Sequence, residues 1–256
     1  MSPELHMTSR TLLRSVPLAA FLAATPARAA EGPPHWSYTE HGGAAKWGSL
    51  APDYATCGVG KLQSPIDIKG AKKADLPPIL VAYKPGEAKV VNNGHTIQVT
   101  VPPGGTITVG GQAYELQQFH FHAPSEEAIA GKRAPLVAHF VHKDADGKLA
   151  VIAVLFDVGG ESAALKPVFA KLPAKPETDM TLAEAIDPAA VLPAKLGYYT
   201  FEGSLTTPPC SEGVRWLVLQ QHATVSKAQL AAFKKLYPAN ARPLQPANGR
   251  EIQASR

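Results

Sequence analysis

The feature that most restricts the fold is the way proline and glycine cut this chain into short apolar runs. The 24 Pro and 21 Gly follow no collagen-like period; they fall between segments too short for long helices. Lys89–Asn92, His95–Val101, Thr106–Val109, Tyr114–His122, Leu136–His142, Leu149–Phe156 and Arg215–Gln220 read as strands. Gly94, Pro102-Pro103-Gly104-Gly105 and Gly110-Gly111 separate them, and Asp146-Gly147 predicts a hairpin turn between two apolar runs. Helix signals are few. Ser226 with Gln229 three residues on is a capping-box pattern, and Leu230, Phe233 and Leu236 follow at helical spacing. Ser162–Leu172 is a weaker helix, interrupted by Pro167. Ala30–Lys61 reads as irregular, anchored by Trp36, Tyr38 and Trp47. With no βαβ alternation, an antiparallel or mixed sheet in one domain fits best.

Composition narrows the function. At 256 residues, 45% hydrophobic and 18% charged, the chain can bury a sizeable core and is globular. Its net charge of +4 is dispersed, with no basic run longer than Lys72-Lys73 or Lys234-Lys235, so no nucleic-acid partner is expected. Residues 1–29 read as a secretory signal peptide: Arg10 and Arg14, the apolar run Val16–Ala24, then Ala27-Arg28-Ala29 for cleavage. That leaves residues 30–256 as one domain, periplasmic or secreted, with no membrane span after cleavage because no later stretch reaches 18 apolar residues. The two cysteines, Cys57 and Cys210, are both exported and are expected to pair. The bridge would close about 150 residues, for which chain entropy gives at most about 5 kcal/mol.

Nine histidines remain to be explained. In His120-Phe121-His122, strand periodicity sets both imidazoles on one face and Phe119 and Phe121 on the other. Imidazoles rooted about 6–7 Å apart can converge on one metal. The run Leu136–His142 adds His139 and His142 on opposite faces, so only one of them can join. Three imidazoles with an open fourth position describe a catalytic zinc site. The spacing His120-x-His122-x3-Glu126 also partly matches the cupin pattern, but Tyr114 stands where that pattern wants glycine and Gly131 comes two residues early.

Longer strings carry a resemblance. Gln118-Phe-His-Phe-His122 with Pro124-Ser125-Glu126, Ala138-His139-Phe-Val-His142, Gln63-Ser-Pro-Ile-Asp-Ile68, Asn92-Asn-Gly-His95, Gly203-Ser-Leu-Thr-Thr-Pro-Pro-Cys210 and Asn240-Ala-Arg-Pro-Leu-Gln-Pro246 resemble, in order, the α-class carbonic anhydrases. The resemblance runs from about Trp36 to the end. It implies a mainly β single domain around a large, mostly antiparallel sheet with a few peripheral helices. It also implies reversible hydration of CO2 to bicarbonate and a proton by zinc hydroxide. His120, His122 and His139 would hold Zn²⁺; Gln118 and the Asn240 carbonyl would accept hydrogen bonds from the first two. Val141, Val151, Leu205 and Trp216 would wall the CO2 site, with Thr207 touching bicarbonate. Thr206 would accept from the hydroxide and donate to Glu126. His95 would shuttle protons along a water path lined by Tyr38, Asn93 and Gln98. Cys57 and Cys210 match the disulfide of bacterial members, and a periplasmic homodimer is a family expectation. His35, His41, His142 and His222 are read as surface or satisfied structural residues.

Three positions depart from the family pattern. Gln98 is longer than the usual Asn. Glu127 replaces a His that commonly follows the Glu. Val137 replaces a Glu two residues before His139, which should leave that imidazole without a carboxylate and weaken zinc binding by about 10–100-fold. An alternative function is a catalytically silent carbonic-anhydrase-like binding module, which metal content and sulfonamide binding would tell apart.

Overall fold

The computed structural model describes Met1 and residues 35–256, so the expected signal peptide lies, Met1 apart, outside the described residues. One sheet organises the chain. From edge to edge its strands run Thr178–Thr181, Lys89–Asn92, Ile97–Thr100, Gln112–His122, Leu136–Lys143, Leu149–Val158, Glu212–Leu219, Tyr198–Ser204, Gln253–Ser255 and Lys72–Ala74. Neighbours are antiparallel except at two junctions, Leu149–Val158 with Glu212–Leu219 and Gln253–Ser255 with Lys72–Ala74. Short strands at Ile79–Ala82, Thr106–Val109 and Ala223–Val225 pair onto it.

The two faces of this sheet bury different cores. Phe119, Phe121, Phe140, Ile152 and Val154 point to one side and pack against Val168, Phe169 and Phe233 of the flanking helices. Phe119 and Phe140 stack at 4.7 Å between centroids. Burying a ring of this size stabilises by about 1.5–3 kcal/mol. Val137, Val151, Ala153, Trp216 and Val218 point to the other side. Leu149–Phe156 is apolar throughout because both of its faces are covered.

Local chemistry accounts for the connections. Asp144 Oδ1 accepts from the backbone N–H groups of Asp146 (3.0 Å) and Lys148 (2.8 Å), and Gly147 takes φ +84, so the Asp146-Gly147 hairpin closes. Ser226 Oγ accepts from Gln229 N at 3.1 Å and Gln229 Oε1 from Ser226 N at 3.0 Å, which caps the helix Lys227–Leu236. The helix expected over Ser162–Leu172 shortens to Lys166–Ala170, because Pro167 lacks the N–H an interior position needs and is confined to the first turn. The stretch read as irregular contains short helical turns at Ala44–Lys46, Trp47–Leu50, Pro52–Tyr54 and Thr56–Val59. Trp47 is fully buried there, with Trp36 and Tyr38 edge-on to it at 5.1 and 5.8 Å.

Cys57 and Cys210 are disulfide-bonded across 153 residues. Around them, the Arg242 guanidinium lies over Trp47 and donates to the carbonyls of Ser64 (2.6 Å) and Cys57 (3.0 Å), while Gln63 Nε2 donates to Cys210 O at 3.0 Å. Together they fasten the N-terminal segment to the loop carrying Thr206 and Thr207. Replacing both cysteines by serine should lower the unfolding free energy by about 2–5 kcal/mol in urea titrations. An unchanged midpoint would mean that the hydrogen bonds alone hold this corner.

Candidate metal centre and active site

The strands Gln112–His122 and Leu136–Lys143 pair antiparallel with His139 directly opposite His120 and Val137 opposite His122. That register sets three imidazoles on one face of the sheet. Their ring centroids are 4.9–5.5 Å apart, and one ligand-capable atom from each lies within 4.8 Å of the others. His142 faces the opposite core. Its Nε2 is 2.6 Å from the Tyr83 hydroxyl and its Nδ1 is 3.2 Å from Ala150 O, and burial pushes its pKa down to about 4.

Each clustered ring has one nitrogen on a hydrogen-bond acceptor. His120 Nδ1 is 2.9 Å from Gln118 Oε1, His122 Nδ1 is 2.7 Å from the Asn240 carbonyl, and His139 Nε2 is 3.0 Å and 3.2 Å from the two carboxylate oxygens of Glu127. A carbonyl or carboxylate can only accept, so those nitrogens carry the protons and the opposite nitrogens carry lone pairs. His122 Nε2 and Glu126 Oε2 are buried with no hydrogen-bond partner. They lie 3.6 Å apart, and His139 Nδ1 is 3.8 Å from the same Glu126 oxygen. Acceptors buried together without a donor are costly. A cation answers that cost, and three imidazole nitrogens suit zinc. Glu126 and Glu127, adjacent in sequence and both fully buried, supply negative charge beside it.

The titration of these groups follows from the same geometry. Burial, then the neighbouring His139, pushes His120 down to about 3. Burial drives His122 well below its ordinary value, and the charges of His139 and His120 push the same way. Burial also opposes charge on His139, but the charge and hydrogen bond of Glu127, with Glu126 beyond, hold it above the ordinary value. Burial raises Glu126 to about 7 and Glu127 adds to this, against the pull of His139, the Thr206 hydroxyl and the Arg242 N–H.

One expectation is corrected here. His139 does have a carboxylate partner, because Glu127 reaches it from the loop after the strand. Val137 instead packs in the apolar cluster with Val151 and Trp216. Sequence reading registered Glu127 only as a departure; the available signal was a carboxylate lost at 137 and another gained at 127.

A cleft opens in front of the imidazoles. One part, about 210 Å³, is walled by Val141, Val151, Leu205 and Trp216 and also lined by Thr206 and His139. Trp216 stands edge-on to His139 at 4.9 Å, and Gly203 makes room for it: a Cβ there would meet Trp216 Cδ1 at 2.7 Å. The other part, about 150 Å³, is lined by Tyr38, Asn93, His95 and Gln98, with Trp36 beside them. Gln118, His120 and Thr207 line both. Glu126 Oε1 accepts from Arg242 N at 2.7 Å. The Thr206 hydroxyl lies close enough to the Glu126 carboxyl to lower its pKa.

His95 is set by its turn. Asn93 Oδ1 accepts from the backbone N–H groups of His95 (3.0 Å) and Thr96 (2.9 Å), and Gly94 takes φ +82. Asn240 Nδ2 donates to His95 O at 3.1 Å, so one asparagine touches both the His122 ring and this turn. Trp36, which sequence reading treated only as an anchor, stacks on the His95 ring at 3.6 Å. His35 and His41 are exposed, and His222 Nδ1 lies 3.0 Å from Asp157.

A model of the eukaryotic-type carbonic anhydrase family matches residues 42–256. The chain belongs to this family. A carbonic anhydrase of Pectobacterium carotovorum is 47% identical over 210 residues, covering 82% of this chain and 86% of that protein. Among solved structures, an α-carbonic anhydrase from Thermovibrio ammonificans, in complex with the inhibitor sulfanilamide, superposes with a TM-score of 0.85 at 45% identity, covering 88% of this chain and all of that one. An α-carbonic anhydrase from Photobacterium profundum gives 0.81 at 47% identity, covering 86% of this chain and all of that one. The chain is thus a carbonic anhydrase of the α class, a zinc-dependent family of enzymes, with a three-histidine group where its two cavities meet.

Burial, then the like charge of His35, lowers the pKa of His95, against a smaller pull from Glu177. Its NMR titration should therefore fall below the ordinary 6.5, and Trp36→Ala, which exposes the ring, should move it upward. A titration at or above 6.5 in the unmodified protein would contradict the burial described here.

Proposed function

We propose that this carbonic anhydrase hydrates CO2 reversibly to bicarbonate and a proton with zinc held by His120, His122 and His139. The observation that carries the reading is the convergence of three imidazoles, each with its proton committed to an acceptor and a lone pair left over. Zinc in such a site supplies a water-derived nucleophile at neutral pH, and carbonic anhydrases are themselves the reference case for it.

The chain's own residues do the rest. CO2 carries no charge or dipole, so Val141, Val151, Leu205 and Trp216 hold it by excluding water. Glu126 in its ionised form can only accept; a dication beside it favours that form. Thr206 must then donate to Glu126 Oε2 and present its lone pair toward the reaction space, where it orients the attacking oxygen. Thr207 offers bicarbonate a polar contact at the boundary of the two cavities. The proton released passes along the polar cavity, beside Tyr38, Asn93 and Gln98, to the ring of His95, which gives it to bulk water. We further propose that residues 1–29 are removed as a signal peptide and that residues 30–256 act in the periplasm or outside the cell. The Cys57–Cys210 bridge supports an oxidising compartment, and no helix among the described residues is long and apolar enough to cross a membrane.

Stopped-flow CO2 hydration should be lost on chelation and return with added zinc. Absent or chelator-insensitive activity in folded protein would overturn the reading and favour a silent binding module. His95→Ala should slow hydration in weak buffer, with recovery on adding imidazole; kinetics indistinguishable from the parent enzyme would remove the shuttle role.

A further inference from the structure

We propose that Glu127 is the positioning residue for His139, and that its partnership with Val137 is a relocated form of the support this imidazole needs. The proposal rests on the zinc reading above. Its observations are geometric. Both Glu127 oxygens lie at 3.0–3.2 Å from His139 Nε2, and the side chain is fully buried. Its backbone is held: Ser125 Oγ donates to Glu127 O at 2.7 Å and accepts from Ala134 N at 2.9 Å, while Ala128 N donates to Ile66 O at 3.3 Å. The carboxylate therefore arrives on a fastened loop. Because it can only accept, it commits the His139 proton to Nε2 and turns Nδ1 toward His120, His122 and Glu126. Position 137 lies opposite His122 on the imidazole face of the sheet, and Val137 is buried there among apolar side chains. A carboxylate at 137 is unnecessary while Glu127 is present, and Val137 lets that part of the face pack as core.

The test is zinc binding itself. Metal-free parent protein, Glu127→Gln, Glu127→His and Glu127→His with Val137→Glu are each titrated with Zn²⁺ against a competing chelator. Zinc release rates, cobalt absorption spectra and metal-free thermal stability are recorded alongside. Either single substitution should weaken zinc affinity about 10–100-fold and alter the cobalt spectrum, by more than any change in metal-free stability accounts for. Adding Val137→Glu to Glu127→His should recover most of the affinity. If Glu127→Gln fails to fold, the two histidine variants decide. Single variants that keep affinity within about twofold of the parent overturn the proposal, as does a double variant with no recovery. A folded parent protein that binds no zinc overturns the reading beneath it, and this proposal too.

Discussion

The structure depends on one register. Pairing of Gln112–His122 with Leu136–Lys143 places His139 opposite His120, and the side-chain period of two puts His122 beside them. A slip of one residue would turn His139 into the aromatic core and bring Ala138 or Phe140 to the metal face. The aromatic side of the same strands prevents this. Phe119 and Phe140 stack directly across the pair, and Phe121 packs on Phe169 and Phe233. The apolar face thus sets the alignment of the polar one.

Around that alignment, each supporting contact comes from a different part of the chain. Gln118 lies on the same strand as His120. Asn240, from the C-terminal segment, serves His122, caps Ala123 N at 2.9 Å and holds the His95 turn. Glu127 comes from the loop after the strand. The disulfide and Arg242 hold the N-terminal aromatics near the loop of Thr206 and Thr207, and Arg242 also donates its backbone N–H to Glu126. A three-imidazole face is thereby joined to two chemically distinct cavities, one walled by apolar side chains and the other lined by polar ones.

Much of this was legible in the sequence, for identifiable reasons. Alternation in Phe119–His122 stated which side each ring would take, the Ser226–Gln229 cap announced its helix, and two cysteines behind a signal-peptide pattern implied their bond. Periodicity could not choose between His139 and His142, because that choice depends on which neighbour each face meets; only the family resemblance pointed to His139. The strand Tyr198–Ser204 went unseen because Thr200, Glu202 and Gly203 break its apolar pattern, although it pairs antiparallel with the next strand, Glu212–Leu219. Strand and helix periodicity could not relate Glu127 to an imidazole twelve positions away, so only the paired departures at 127 and 137 signalled that partnership.

The most direct measurement is a crystallographic anomalous difference map recorded on both sides of the zinc absorption edge. The account requires one edge-dependent peak per chain, enclosed by His120, His122 and His139. Crystals grown with zinc that show no peak there, or a peak held by other side chains, would contradict it.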